Sequence, residues 1–130
     1  MYRPPPLRGR PVLAEKKVLL IDRCQATREV RAAVLRSRGV EVHEAEEISR
    51  ARFLWQPNVY DLVMLDVRKY FPAEAMEFYG EVKHRSPGEH LVFLLGPPKY
   101  LSRTWPDEVT FDDGSSGQWG ETVKRFLAAA

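Results

Sequence analysis

Three short stretches of the chain are apolar without interruption: Val18-Leu19-Leu20-Ile21, Leu62-Val63-Met64-Leu65 and Leu91-Val92-Phe93-Leu94-Leu95. Runs this short, set off by breakers such as Pro57-Asn58 and Gly96-Pro97-Pro98, predict strands buried on both faces. The first two runs each end in an aspartate, Asp22 and Asp66. Val40 to Ala45 alternates apolar and polar residues, which predicts a more exposed strand. Glu108 to Phe111 predicts a short last one. The segments between have helical spacing. Gln25 to Arg38 carries Ala26, Val30, Ala33, Val34 and Ser37 on one face, which predicts that this face turns inward, with Arg28, Arg31, Arg36 and Arg38 mostly off it. Gly39 supplies the left-handed stop. Glu46 to Trp55 puts Ile48, Ala51, Leu54 and Trp55 on one side. Ala73 to Arg85, entered through Pro72, puts Ala75, Met76, Tyr79 and Val82 inward. Trp119, Val123, Phe126 and Leu127 mark a closing amphipathic helix.

Strand and helix therefore alternate along the chain, with one gap. Lys99 to Asp107 contains Pro106, follows Pro97-Pro98 and has no periodic apolar face, so the fourth helix is expected to be reduced or absent. Such alternation means a parallel sheet covered by helices on both faces, joined by right-handed crossovers. The expected architecture is a flavodoxin-like, doubly wound α/β fold with a five-stranded parallel sheet in the order 2-1-3-4-5. It occupies residues 16–130, behind a flexible, basic, proline-rich arm at 1–15 that holds Pro4, Pro5, Pro6 and Pro11 among Arg3, Arg8 and Arg10. The closing helix runs almost to Ala130, so no output domain is expected within this chain.

Composition narrows the function classes. A formal net charge of +2 is too small to argue for nucleic acid or a membrane surface as partner. No apolar run approaches the ~18 residues of a membrane span, and no signal-peptide core is visible at the N-terminus. Cys24 is the only cysteine, which excludes an internal disulfide and suits a cytoplasmic setting.

The chemistry lies at the strand ends. In the expected order the first and third strands are neighbours, so Asp22 and Asp66 meet at one sheet edge, where open α/β sheets gather their ligands. Two carboxylates there suit a hard cation such as Mg²⁺, or else cap the loops that follow. His43, His84 and His90 lack metal-ligand spacing. Cys24 is read as a bystander thiol, and Gly114-Ser115-Ser116-Gly117 as a flexible turn.

Val18-Leu19-Leu20-Ile21-Asp22, then Arg28, a helix ending at Gly39, and Leu62-Val63-Met64-Leu65-Asp66 resemble the CheY-like receiver domain of two-component response regulators. The resemblance spans about Lys16 to Ala128 and is best through the first three strands. It implies a phosphorelay signalling domain, not an enzyme, whose partner is a histidine kinase or a downstream signalling protein, and it admits a homodimer. It makes Asp66 the phosphoacceptor. It implies an Mg²⁺ site of Asp22, Asp66 and the backbone carbonyl of Arg68. The chain departs from the pattern elsewhere. Arg23 stands where the family has a second acid, Leu95 where it has a Ser or Thr, and Phe111-Asp112-Asp113-Gly114 where its Lys ends the fifth strand. Phosphoryl transfer depends on positioning and on positive charge at the transferring oxygens. The losses therefore imply a divergent receiver or pseudo-receiver with degenerate phosphorylation chemistry and weak Mg²⁺ binding. Arg23 either points to solvent, the favoured reading because Arg is mostly exposed, or pairs with Asp22 or Asp66. Two alternatives stand beside this: a phosphate-independent interaction module, and a small-molecule-binding flavodoxin-like domain with a pocket at Leu95, Pro97 and Gly114–Gly117. Tyr100, Leu101 and Trp105 are expected as partner anchors in place of a fourth helix.

Overall fold

A computed structural model describes residues 16–95 and 109–111 of the chain. The elements run β1 (Lys17–Ile21), α1 (Gln25–Ser37), β2 (Glu41–Ala45), α2 (Ile48–Leu54), β3 (Leu62–Asp66), α3 (Pro72–Arg85), β4 (Leu91–Leu95) and β5 (Val109–Phe111). The strands form one sheet in the order β2-β1-β3-β4-β5. All pairings are parallel. The flavodoxin-like order read from the sequence is the order in the molecule. The arm at 1–15, the residues of the expected reduced fourth helix with Tyr100, Leu101 and Trp105, the Gly114–Gly117 turn and the closing helix lie outside the described residues. Among the described residues no helix is long and apolar enough to cross a membrane.

Alternation along the strands divides the core into two layers. Leu19, Ile21, Val63, Leu65 and Phe93 point to the layer shared with Ile48, Ala51 and Trp55 of the α2 region and with Ala75, Phe78 and Val82 of α3. Val18, Leu20, Leu62, Met64, Val92 and Leu94 point the other way, against Ala32 and Leu35 of α1. Each large side chain closed off in this way contributes about 1.5–3 kcal/mol of burial free energy. Pro72 opens α3 where its missing N–H costs nothing. Gly39 ends α1 at φ 88°, a conformation that disfavours any Cβ.

The inward face of α1 is not the one expected. Arg31, Ala32 and Leu35 are its buried residues, while Ala26 and Ala33 are exposed and Val30 is 56% exposed. The helix is rotated relative to its apolar stripe, and the site supplies the reason.

Candidate functional site

The register pairs Ile21 with Leu65 across β1 and β3. The next residues, Asp22 and Asp66, therefore stand side by side at the carboxyl edge of the sheet. Both are almost closed to water, at 1% and 4% exposure. Two buried carboxylates at such a distance repel and lose hydration, so they need donors and positive charge. Arg31 supplies both. Its Nη1 donates to Asp22 Oδ2 at 2.7 Å and to Asp66 Oδ2 at 2.5 Å, and its side chain is only 4% exposed. An arginine at this depth is stable only when its charge is matched.

Further donors reach both carboxylates. Asp22 Oδ1 accepts the Cys24 backbone N–H at 2.9 Å, and Oδ2 accepts the Thr27 hydroxyl at 2.6 Å. Arg28 Nη1 donates to the Asp22 carbonyl at 2.8 Å. Arg28 also pairs with Glu44 on β2 at 3.3 Å. Asp66 Oδ1 accepts the Arg68 backbone N–H at 2.9 Å and Arg68 Nε at 3.0 Å. Asp66 Oδ2 accepts Arg68 Nε at 2.8 Å and Nη2 at 2.6 Å. Burial pushes the Asp66 carboxyl up, but the bonds and charges of Arg68 and Arg31 outweigh it and hold the group below its usual value. Asp66 is thus a carboxylate with guanidinium donors on both oxygens.

The sequence-predicted residues separate here. Asp22 and Asp66 come together. Arg68 joins them through its side chain and its N–H. Arg23 turns outward and is exposed. Its guanidinium lies 3.9 Å over the Tyr70 ring, and Nη1 donates to the Lys69 carbonyl at 3.0 Å. Tyr70 in turn accepts the Ile48 N–H at 3.0 Å, capping α2 in place of a side-chain cap from Glu47. The side chains of Leu95 and of the Phe111–Gly114 stretch lie outside the described residues. Arg31 and Thr27 are the site residues that sequence reasoning missed.

An Mg²⁺ ion bridging the two aspartates needs ligands at ~2.0–2.1 Å and several waters. Arg31 Nη1 lies between the two Oδ2 atoms. Among the described residues no group of three or more His, Cys, Asp or Glu side chains is placed to hold a metal ion.

No protein-family model matches the chain, and no curated protein does. Solved structures do match. One is a chain in the complex of the histidine kinase ThkA with the response regulator protein TrrA, at 25% identity and TM-score 0.71, covering 86% of this chain and 98% of that one. TrrA from Thermotoga maritima in complex with Mg²⁺-BeF matches at 25% identity and TM-score 0.67, covering 85% and 98%. A CheY-like receiver domain protein from Methanospirillum hungatei matches at 19% identity and TM-score 0.70, covering 88% and 94%.

Proposed function

We propose that this chain, which has the fold of a CheY-like response regulator receiver domain, serves phosphorelay signalling by protein–protein contact, without phosphoryl transfer to Asp66. The observation that carries the reading is the Arg31 bridge. To accept a phosphoryl group, a carboxylate oxygen must aim a free lone pair at phosphorus while the donor's bond to phosphorus breaks. Both Asp66 oxygens already accept charge-assisted bonds, and the residue is 4% exposed. The usual electrostatic aid in such a transfer is a divalent ion that bridges the oxygens. Here the donor set does not fit one: the place between the carboxylates is held by a fixed monovalent cation, which cannot exchange ligands.

In this reading the corner is a structural tie. Arg31 and Arg68 balance Asp22 and Asp66, and they fix the loops after β1 and β3 in one arrangement. The partner reads that arrangement from the surface. The candidates are a histidine kinase, as in the complex of ThkA with TrrA, or a downstream signalling protein. The domain's own role is binding, not turnover.

Incubation with acetyl phosphate and Mg²⁺, followed by intact-mass spectrometry, tests this. The expected spectrum shows the unmodified mass. A phosphoryl adduct that disappears in Asp66→Asn contradicts the proposal.

A further inference from the structure

Among the described residues β2 is the outermost strand on its side of the sheet. Its parallel register with β1 decides which backbone groups face the sheet and which face away. The Glu41 N–H donates to the Lys16 carbonyl, and the Ala45 carbonyl accepts the Asp22 N–H. Bonding in a parallel pair alternates along the strand, so Glu41, His43 and Ala45 bond toward β1. Val42 and Glu44, between them, turn their N–H and C=O groups outward. Such an edge is a ready template for another strand. Two copies paired antiparallel about His43 would set Val42 of one opposite Glu44 of the other, and each of those pairs would exchange two bonds.

Helix α1 reaches over this edge. Arg36 Nη2 donates to the Val42 carbonyl at 3.0 Å, and Nη1 pairs with Glu44 Oε2 at 3.1 Å. Arg28 holds the other Glu44 oxygen, Oε1, at 3.3 Å. The rotation of α1 that sets Arg31 between the two aspartates thus also brings Arg28 and Arg36 onto β2. As a stabilising contact the Arg36 pair is weak, because its side chain is 50% exposed. Its position matters more than its strength. It takes up an outward carbonyl of the edge, and its guanidinium stands where the donor of an incoming strand would come.

We propose that Arg36 is a clasp that keeps the β2 edge from pairing with a second copy of this chain. The experiment compares the full chain with Arg36→Ala over a concentration series, by sedimentation velocity and by hydrogen exchange at the backbone amides of Val42 and Glu44. The variant should self-associate at least about tenfold more tightly than the unaltered chain, because a symmetric pair no longer has to displace two clasps. Protection of the Val42 and Glu44 amides should rise with its concentration. Adding Glu44→Pro should return self-association to the unaltered level, since proline removes an outward N–H and is tolerated on an edge strand. The Arg36 side chain is half-exposed, so the variant should fold, and its urea transition verifies this; Arg36→Gln carries the same expectation and replaces it if it does not. Equal self-association of the variant and the unaltered chain overturns the proposal. So does association that leaves the Val42 and Glu44 amides unprotected, or that persists with Glu44→Pro.

Discussion

Helices α1 and α3 cover opposite faces of one sheet and are held there by different forces. α3 sets Ala75, Phe78 and Val82 into an apolar layer. α1 sets Ala32 and Leu35 into the other layer and, between the sheet edge and itself, a guanidinium. Neighbouring residues on α1 show the inversion most sharply: Val30 is 56% exposed and Arg31 is 3% exposed. Magnitudes explain the choice. Turning Val30 inward would gain about 1.5–2 kcal/mol. Leaving a buried charge without its partner costs about 3–5 kcal/mol. Charge therefore sets the rotation of α1, and apolar packing sets that of α3.

The largest expected effects separate the two helices by pH. Arg31→Ala should destabilise the fold by about 3–5 kcal/mol at neutral pH, because it removes the buried cation that two buried carboxylates share. Phe78→Ala should cost a similar ~3–5 kcal/mol through lost burial and a cavity. The Asp66 carboxyl is held below its ordinary value in the folded chain. Its stabilising contribution is thus present above the unfolded value, ~3.9, and is lost as pH falls through the folded one. The Arg31→Ala deficit should accordingly narrow in urea melts below about pH 4, while the Phe78→Ala deficit should not. Equal pH dependence of the two deficits would mean that charge does not hold α1 differently from α3.

A smaller effect concerns the tie between the loop after β3 and α2. Tyr70→Phe removes the acceptor of the Ile48 N–H and should cost about 1–3 kcal/mol. A neutral result in thermal melts would show that the hydroxyl is not needed as a cap. The smallest is at the outer face of α1. Val30→Ser should change stability by no more than about 0.5 kcal/mol. A loss well above that in urea melts would mean that Val30 is packed and the helix is turned the other way.

The sequence carried the strands, their order and the inward side of α3, because uninterrupted apolar runs and a single apolar stripe leave little choice there. Ala75 and Val82 lie where the pattern put them, while Met76 and Tyr79 are only partly buried beside Phe78. The carboxylate pair was legible as well, since it follows from strand order. The orientation of α1 was not. Ala26, Val30 and Ala33 form a stripe as periodic as the true inner face, and arginine is rarely buried. A usable signal did exist: two acids at adjacent strand ends require a counter-charge, and the helix that follows Asp22 offers Arg28 and Arg31 at helical spacing. Arg23 is exposed but engaged, over Tyr70 and on the Lys69 carbonyl. The guanidinium between the carboxylates belongs to Arg31 instead.

Mg²⁺ titration of the unmodified chain near neutral pH shows whether Arg31 keeps the place between Asp22 and Asp66. The titration is run with and without beryllofluoride and followed at the backbone amides of Cys24 and Arg68, which bond the two carboxylates. With the Arg31 guanidinium in place, no saturable shift is expected up to millimolar Mg²⁺ and no further change on adding beryllofluoride. Saturable binding at millimolar Mg²⁺ or below, or a beryllofluoride-dependent rearrangement of the same amides, would contradict it.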